Sequence, residues 1–323
     1  MNLHLNGILL GELLELAAKH HQINTSLVEK DYWVTYLLKQ VYLTDLRNYT
    51  YFKGGTSLSK AYGLINRFSE DIDLLVYSNN PFASKQTEKN IAKELAHLLY
   101  QVPSLQYQKS LSTIGGIYKK LLFDYPQYSS TMGLKDQVEV EITCIDHNEK
   151  EQMYLPTEVT KISTFIYQYL LHIGRIDLIQ QFDMFPIEVL TVQPEKTLCD
   201  KICRLARISY HADAVNLIAK YNRDLYDINA MIKQDRFRFY VQSDDFVQHI
   251  DKVIKEDSQF KKTNFNKPFY CTPLFQTPES VLNLLPVKQA LQETQRFLVF
   301  DQKVDVPEMV ETMRFLYSRF TCH

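Results

Sequence analysis

The chain has 323 residues, 45% hydrophobic and 23% charged, which can build a sizeable core in one large domain or two ordinary ones and excludes disorder by composition. A formal net charge of −2 gives no global footprint for nucleic acid, so any such surface must be a local patch. No run of about 18 apolar residues is present, which argues against a membrane span, and the odd, scattered cysteines (Cys144, Cys199, Cys203, Cys271, Cys322) lack zinc-like spacing and read as reduced thiols of a cytoplasmic protein.

Residues 1–47 read as helical. Leu9, Leu13, Leu16 and Ala17 recur at helical spacing, which predicts an amphipathic helix and not a signal peptide. Ser26 with Glu29 offers a capping box for a second helix, and Glu29, Lys30 and Asp31 read as its charged first turn, not as catalytic residues.

Residues 50–77 carry the densest chemistry: strand, glycine turn, short helix, loop, strand. Gly54 and Gly55 allow a tight turn and a close approach to a ligand. Leu58, Ala61 and Leu64 or Ile65 have helical spacing, so Thr56 or Ser57 can cap a helix whose N-terminal amides suit a phosphate. Asp71 and Asp73 are two apart and share a strand face, while Ile72, Leu74 and Val76 take the other. A phosphate cradle beside paired carboxylates is what metal-assisted nucleotidyl transfer requires. Leu75 and Val76 stand where a calcium loop needs an oxygen donor and a glycine, which excludes that reading.

Residues 78–82 read as a loop, 85–100 as a helix, and 119–125 and 137–144 as alternating strands. In the last, Glu139 and Glu141 lie opposite the apolar face, so either faces water or one adds a third carboxylate to Asp71 and Asp73. Gathering three carboxylates is costly unless a divalent cation neutralises them. From about residue 155 the pattern becomes mainly helical. Pro194 opens a helix with Lys201 at the edge of its apolar stripe, where a lysine ordinarily snorkels to water. Asp224 and Asp227 are neighbours on the next helix face. Residues 255–288 read as an irregular connection, and helical spacing returns at 287–300 and 306–320.

The run Gly-Gly-Thr-Ser-Leu-Ser-Lys at 54–60, followed by Arg67-Phe68-Ser69-Glu70-Asp71-Ile72-Asp73-Leu74, resembles the AbiEii/AbiGii toxin family. Val28 to Val34, Pro194-Glu195-Lys196-Thr197 with Lys201, and Arg223 to Asp227 match the same family. The resemblance implies an α+β fold: a nucleotidyltransferase-like domain over residues 1–150 with a small mixed sheet, flanking helices and N-terminal helices, then a helical domain over 151–323. It implies a toxin of a toxin–antitoxin or phage-defence system that moves NMP from an NTP (GTP or a pyrimidine NTP) to an RNA, with the tRNA 3′ end as acceptor. Asp71 and Asp73 would hold two Mg²⁺ ions with Glu141 as third ligand and Glu139 as second choice. Gly54, Gly55, Thr56 and Ser57 would grip the phosphates, Lys201 would neutralise charge on them, and Asp224 or Asp227 would orient Lys201 or the acceptor. Ser69 matches a serine that is functional in some relatives. A cognate antitoxin encoded nearby is the expected partner, and no membrane. Basic residues available to RNA are Lys119, Lys120, Arg204, Arg207, Lys220 and Arg223. Two other readings keep the fold: a nucleotide-binding regulator without catalysis, and transfer to a protein or small-molecule hydroxyl.

Overall fold

Strand alternation builds the sheet on which the candidate site sits. In the computed structural model, which describes residues 1–78, 84–129, 137–144, 155–259, 272–300 and 304–321, β1 (Thr50–Lys53) and β2 (Asp71–Val76) pair antiparallel. They are followed in the chain by β3 (Gln106–Tyr107), β4 (Thr113–Ile114), β5 (Tyr118–Asp124), β6 (Gln137–Cys144), β7 (Thr157–Ile162) and β8 (Ile187–Val192). The order across the mixed sheet is β3-β5-β6-β2-β1-β8-β7, with β4 on β5. β2 runs parallel to β6 and β1 parallel to β8. One face is apolar: Phe52, Ile72, Leu74, Val76, Leu121, Phe123, Val138, Val140 and Ile142 are all buried in the core. Helices α1 (Gly7–His21), α2 (Thr25–Tyr42) and α4 (Lys85–Tyr100) contribute Leu10, Leu14, Trp33, Leu37, Leu95 and Leu99 to the same core. Each such side chain is worth roughly 1.5–3 kcal/mol when fully buried. That term fixes the register, because a one-residue slip would turn the acidic positions of β2 and β6 into the core.

By its contacts the chain falls into two compact units. The first takes Met1–Gly63, Phe68–Asn148 and Thr157–Val192, and so includes β7, α5 (Phe165–His172), α6 (Ile176–Gln181) and β8. The second takes Leu64–Arg67, Glu149–Pro156 and Gln193–His323.

Several local expectations differ from what is found. The cap of α2 is Asn24, whose side chain accepts from Ser26 N–H, and Glu29 turns away to bind Tyr128 and Ser129, so no capping box forms. Glu29, Lys30 and Asp31 are buried, and the first turn of α2 holds no acidic residue. The helix after the glycines, α3 (Gly54–Lys60), starts earlier than expected and has Lys53 as its cap residue, without a side-chain cap. β7 and β8 occupy a region read as helical. The stretch read as irregular holds the end of α11 (Asp244–Gln259), then α12 (Pro273–Gln276), α13 (Pro278–Leu282) and the start of α14 (Leu285–Leu298). Residues 79–82 of the expected loop, residues 260–271, Cys271 and Cys322 lie outside the described residues, whereas Cys144, Cys199 and Cys203 are buried and in no disulfide.

The second unit adds α7 (Pro194–Ile208), α8 (Ala214–Lys220), α9 (Asn222–Ile232), α10 (Asp235–Gln242) and α15 (Val306–Thr321). Its axis is α9, which is buried with four polar side chains satisfied by different elements. Asn222 accepts from Thr294 of α14 at 2.7 Å, and Asn229 from Thr312 of α15 at 2.6 Å. Asp224 binds Lys201 at 2.7 Å and both Nε and Nη2 of Arg204 at 2.6 and 2.7 Å. Asp227 binds Lys201 at 2.9 Å and takes a two-pronged bond from Arg67 at 2.6 and 2.7 Å. Lys201 is therefore buried between two carboxylates and does not snorkel.

Burial alone would raise the Asp224 carboxyl, but Lys201 and Arg204 outweigh it and hold it at about 2, below its ordinary 3.8. The folded form thus titrates below the unfolded one, so this stabilisation is complete above about pH 4 and is lost as pH falls towards 2. It amounts to about 2 kcal/mol. Asp224→Asn is expected to cost about 3 kcal/mol in urea unfolding at pH 7, because the buried Lys201 and the partly exposed Arg204 lose a partner, and to narrow the gap to wild type as pH is lowered to 3.

Candidate active site

Parallel pairing of β2 with β6 sets Asp71 opposite Glu139 and Asp73 opposite Glu141. Paired residues share a sheet face, so four carboxylates project from the side opposite the apolar core. On β5, Lys120 is registered with Glu141, and Tyr118 lies two residues away on the same face. On β1, Lys53 is registered with Asp73. The two glutamates are not equivalent. Lys120 Nζ is ion-paired with Glu139 and lies 4.0 Å from Glu141. Burial pushes the Glu141 carboxyl up; a hydrogen bond from Tyr118 opposes this, and the neighbouring Glu139 adds to it. The Tyr118 hydroxyl is itself pushed up, by burial first and then by Glu141, Glu139 and Asp73. Glu139 is thus buried against a resident lysine, and Glu141 is the more exposed of the two carboxylates.

The glycine turn meets this face at Asp73. Gly54 has φ +79°, in the left-handed region, and a Cβ there would overlap the Asp73 carboxylate, with Cγ at 2.8 Å and Cβ at 3.1 Å. Only a residue without a side chain lets the turn lie against the aspartate. Thr56 Oγ1 donates to the Asp71 carbonyl, and Ser57 Oγ donates to the Gly54 carbonyl at 2.9 Å. Both hydroxyls therefore tie the turn to β2 and to itself. What they leave for a ligand is main-chain N–H in the first turn of α3. Ser69 is buried just ahead of Asp71. Lys201, Asp224 and Asp227 come together in the second unit, in the network already described. Of the basic residues assigned to RNA, Lys120 and Arg204 are committed to Glu139 and Asp224, and Lys119 is buried.

Tyr118 is absent from the residues singled out in the sequence, Lys120 appears there only as a cation for RNA, and Arg67 only as part of the family motif. The period-2 pattern puts Tyr118 and Lys120 on one face of β5, but nothing local says that this face meets Glu139 and Glu141. Among the described residues no group of three or more His, Cys, Asp or Glu side chains is placed to hold a metal ion. The donor chemistry nevertheless suits magnesium, which is held by one or two carboxylates together with substrate phosphates and water, not by an all-protein cage. Asp71 and Asp73 supply hard oxygen donors on one face, and the bare Gly54 backbone keeps the space beside Asp73 clear of a side chain.

The family described as nucleotidyl transferase AbiEii toxin, type IV toxin–antitoxin system, matches residues 36–306. The chain is similar in structure to MenT4, a nucleotidyltransferase toxin from Mycobacterium tuberculosis, with a TM-score of 0.59 and 16% identity over 94% of this chain and 89% of that one. No curated protein sequence matches. No described helix is long and apolar enough to cross a membrane. With most of its length matched and the fold shared, the chain belongs to the AbiEii family of nucleotidyltransferase toxins of type IV toxin–antitoxin systems, and is a nucleotidyltransferase.

Proposed function

We propose that the chain transfers NMP from an NTP to the terminal hydroxyl of an RNA, with the tRNA 3′ end as acceptor. The observation that supports it most is the register that lines up Asp71 and Asp73 beside Glu141, with the Gly54 turn pressed against Asp73. In the reaction the acceptor oxygen attacks the α-phosphorus, the bond to the β-phosphate oxygen breaks, and pyrophosphate leaves. Asp71 and Asp73, with Glu141 third, would hold two Mg²⁺ ions, whose chemistry is to polarise the phosphoryl oxygens and acidify the attacking hydroxyl. Main-chain amides of Gly54, Gly55, Thr56 and Ser57 cradle the distal phosphates. Tyr118 keeps Glu141 oriented by its hydrogen bond, and Lys120 removes the charge of Glu139 from the face. Lys201 is proposed as the cation that offsets charge on the triphosphate, held by Asp224 and Asp227. Ser69, buried ahead of Asp71, is proposed to hold the entry to β2. GTP or a pyrimidine NTP is the proposed donor, phage defence the proposed setting, and the antitoxin of a neighbouring gene the proposed partner.

Incubation with radiolabelled NTPs, Mg²⁺ and total tRNA is expected to label tRNA, and the double variant Asp71→Asn/Asp73→Asn is expected to bring labelling to background. Label found on protein or a small molecule would move the acceptor and leave the site intact, whereas undiminished tRNA labelling by the double variant would remove the metal-site assignment. Gly54→Ala should cost about 1–2 kcal/mol in thermal or urea unfolding, from the left-handed φ and the overlap with Asp73. It should also depress transfer more than its stability loss explains, measured well below its unfolding temperature.

A further inference from the structure

Three consecutive charged residues of α2, Glu29, Lys30 and Asp31, are all buried. Successive helical residues point about 100° apart, and each of the three reaches a different segment. Glu29 accepts from the N–H groups of Tyr128 and Ser129 at 2.7 and 3.0 Å. Lys30 Nζ donates to Glu70 Oε2 at 3.1 Å, with side-chain exposures of 0% and 3%. Asp31 Oδ1 pairs with Lys60 Nζ, and its Oδ2 accepts from Phe165 N–H at 2.9 Å. Lys60 donates as well to the Ser163 carbonyl at 3.1 Å. Buried ion pairs are a poor source of stability, since well-packed apolar residues of the same volume do as well or better. Three buried charges in a row, two of them in ion pairs, call for another reason.

The partners supply it. Lys60 is the last residue of α3, and Glu70 is the residue before β2. The two pairs therefore grip both ends of the connection 61–69, from one rigid turn of one helix. Glu70 is peptide-bonded to Asp71, and its bond to α2 commits it to the helix side of the sheet. Strand alternation then sends Asp71 and Asp73 to the other face. Lys60 fixes the far end of the helix that begins at Gly54.

We propose that Lys30 and Asp31 are positioning residues for the carboxylate pair: through Glu70 and Lys60 they set the angle at which β2 and the glycine turn present Asp71, Asp73 and Gly54. The inference rests on Asp71 and Asp73 being the ion ligands. Its test replaces the deeper pair by apolar residues, Lys30→Met/Glu70→Leu, in the full chain. Three quantities are read: unfolding temperature, kcat and KM for NTP in tRNA labelling, and calorimetric affinity for Mn²⁺ alone, which needs no acceptor. The expected result is an unfolding temperature equal to or above wild type, kcat and Mn²⁺ affinity each lower by about 10–100-fold, and KM within about twofold. Wild-type kcat and Mn²⁺ affinity, with or without a change in unfolding temperature, would overturn the proposal. Should that variant not fold, Lys60→Gln decides by the same readouts, because Asp31 there keeps the Phe165 N–H. If Asp71→Asn alone retains both Mn²⁺ binding and transfer, the site reading fails. If Asp71→Asn loses both while the apolar pair behaves as wild type, only the positioning role fails.

Discussion

The contact between the Gly54 backbone and the Asp73 carboxylate is the constraint that the rest of the first unit serves. It exists because position 54 has no Cβ and adopts a positive φ, and because Lys53 and Asp73 are registered across the antiparallel pair. Everything that lines up with Asp73 follows from there. The parallel β2–β6 pairing brings Glu139 and Glu141 alongside, and the β5–β6 pairing brings Lys120 and Tyr118. The apolar face beneath leaves no freedom to slip, since one step in register would exchange Ile72, Leu74 and Val140 for carboxylates.

Both units use buried charge in the same manner. In the first, one turn of α2 holds Glu70 and Lys60, which bracket the connection between the glycine helix and the aspartate strand. In the second, one face of α9 holds Lys201, Arg204 and Arg67 through Asp224 and Asp227. Arg67 lies four residues ahead of Asp71 and belongs with Asp227 to the second unit.

The sequence told more about faces than about partners. The alternation in residues 71–76 and 137–143 was enough to separate carboxylates from core residues, because period 2 is a local property. That these two strands lie side by side is non-local, and only the resemblance to AbiEii proteins pointed to Glu141 over Glu139; the ion pair from Lys120 to Glu139 supplies a physical reason for that preference. Glu29, Lys30 and Asp31 read as a charged first turn because nothing local names their partners, which lie 99, 40 and 29 residues along the chain. Lys201 looked at home in water for the same reason. Residues 255–288 read as an irregular connection, yet Pro273, Pro278 and Pro286 each sit in the first turn of a helix, where a missing N–H costs nothing. Residues 157–162 and 187–192 form strands between helical patterns, and the first is a largely exposed edge whose polar sequence carries little strand signal.

Crystals grown with Mn²⁺ and a non-hydrolysable NTP analogue, measured at the manganese edge, interrogate the site itself. An anomalous peak within about 2 Å of carboxylate oxygens of both Asp71 and Asp73, with the analogue's phosphates at the Gly54 turn, is the predicted result. Manganese and phosphates bound elsewhere, with the two aspartates lacking any ion, would contradict it.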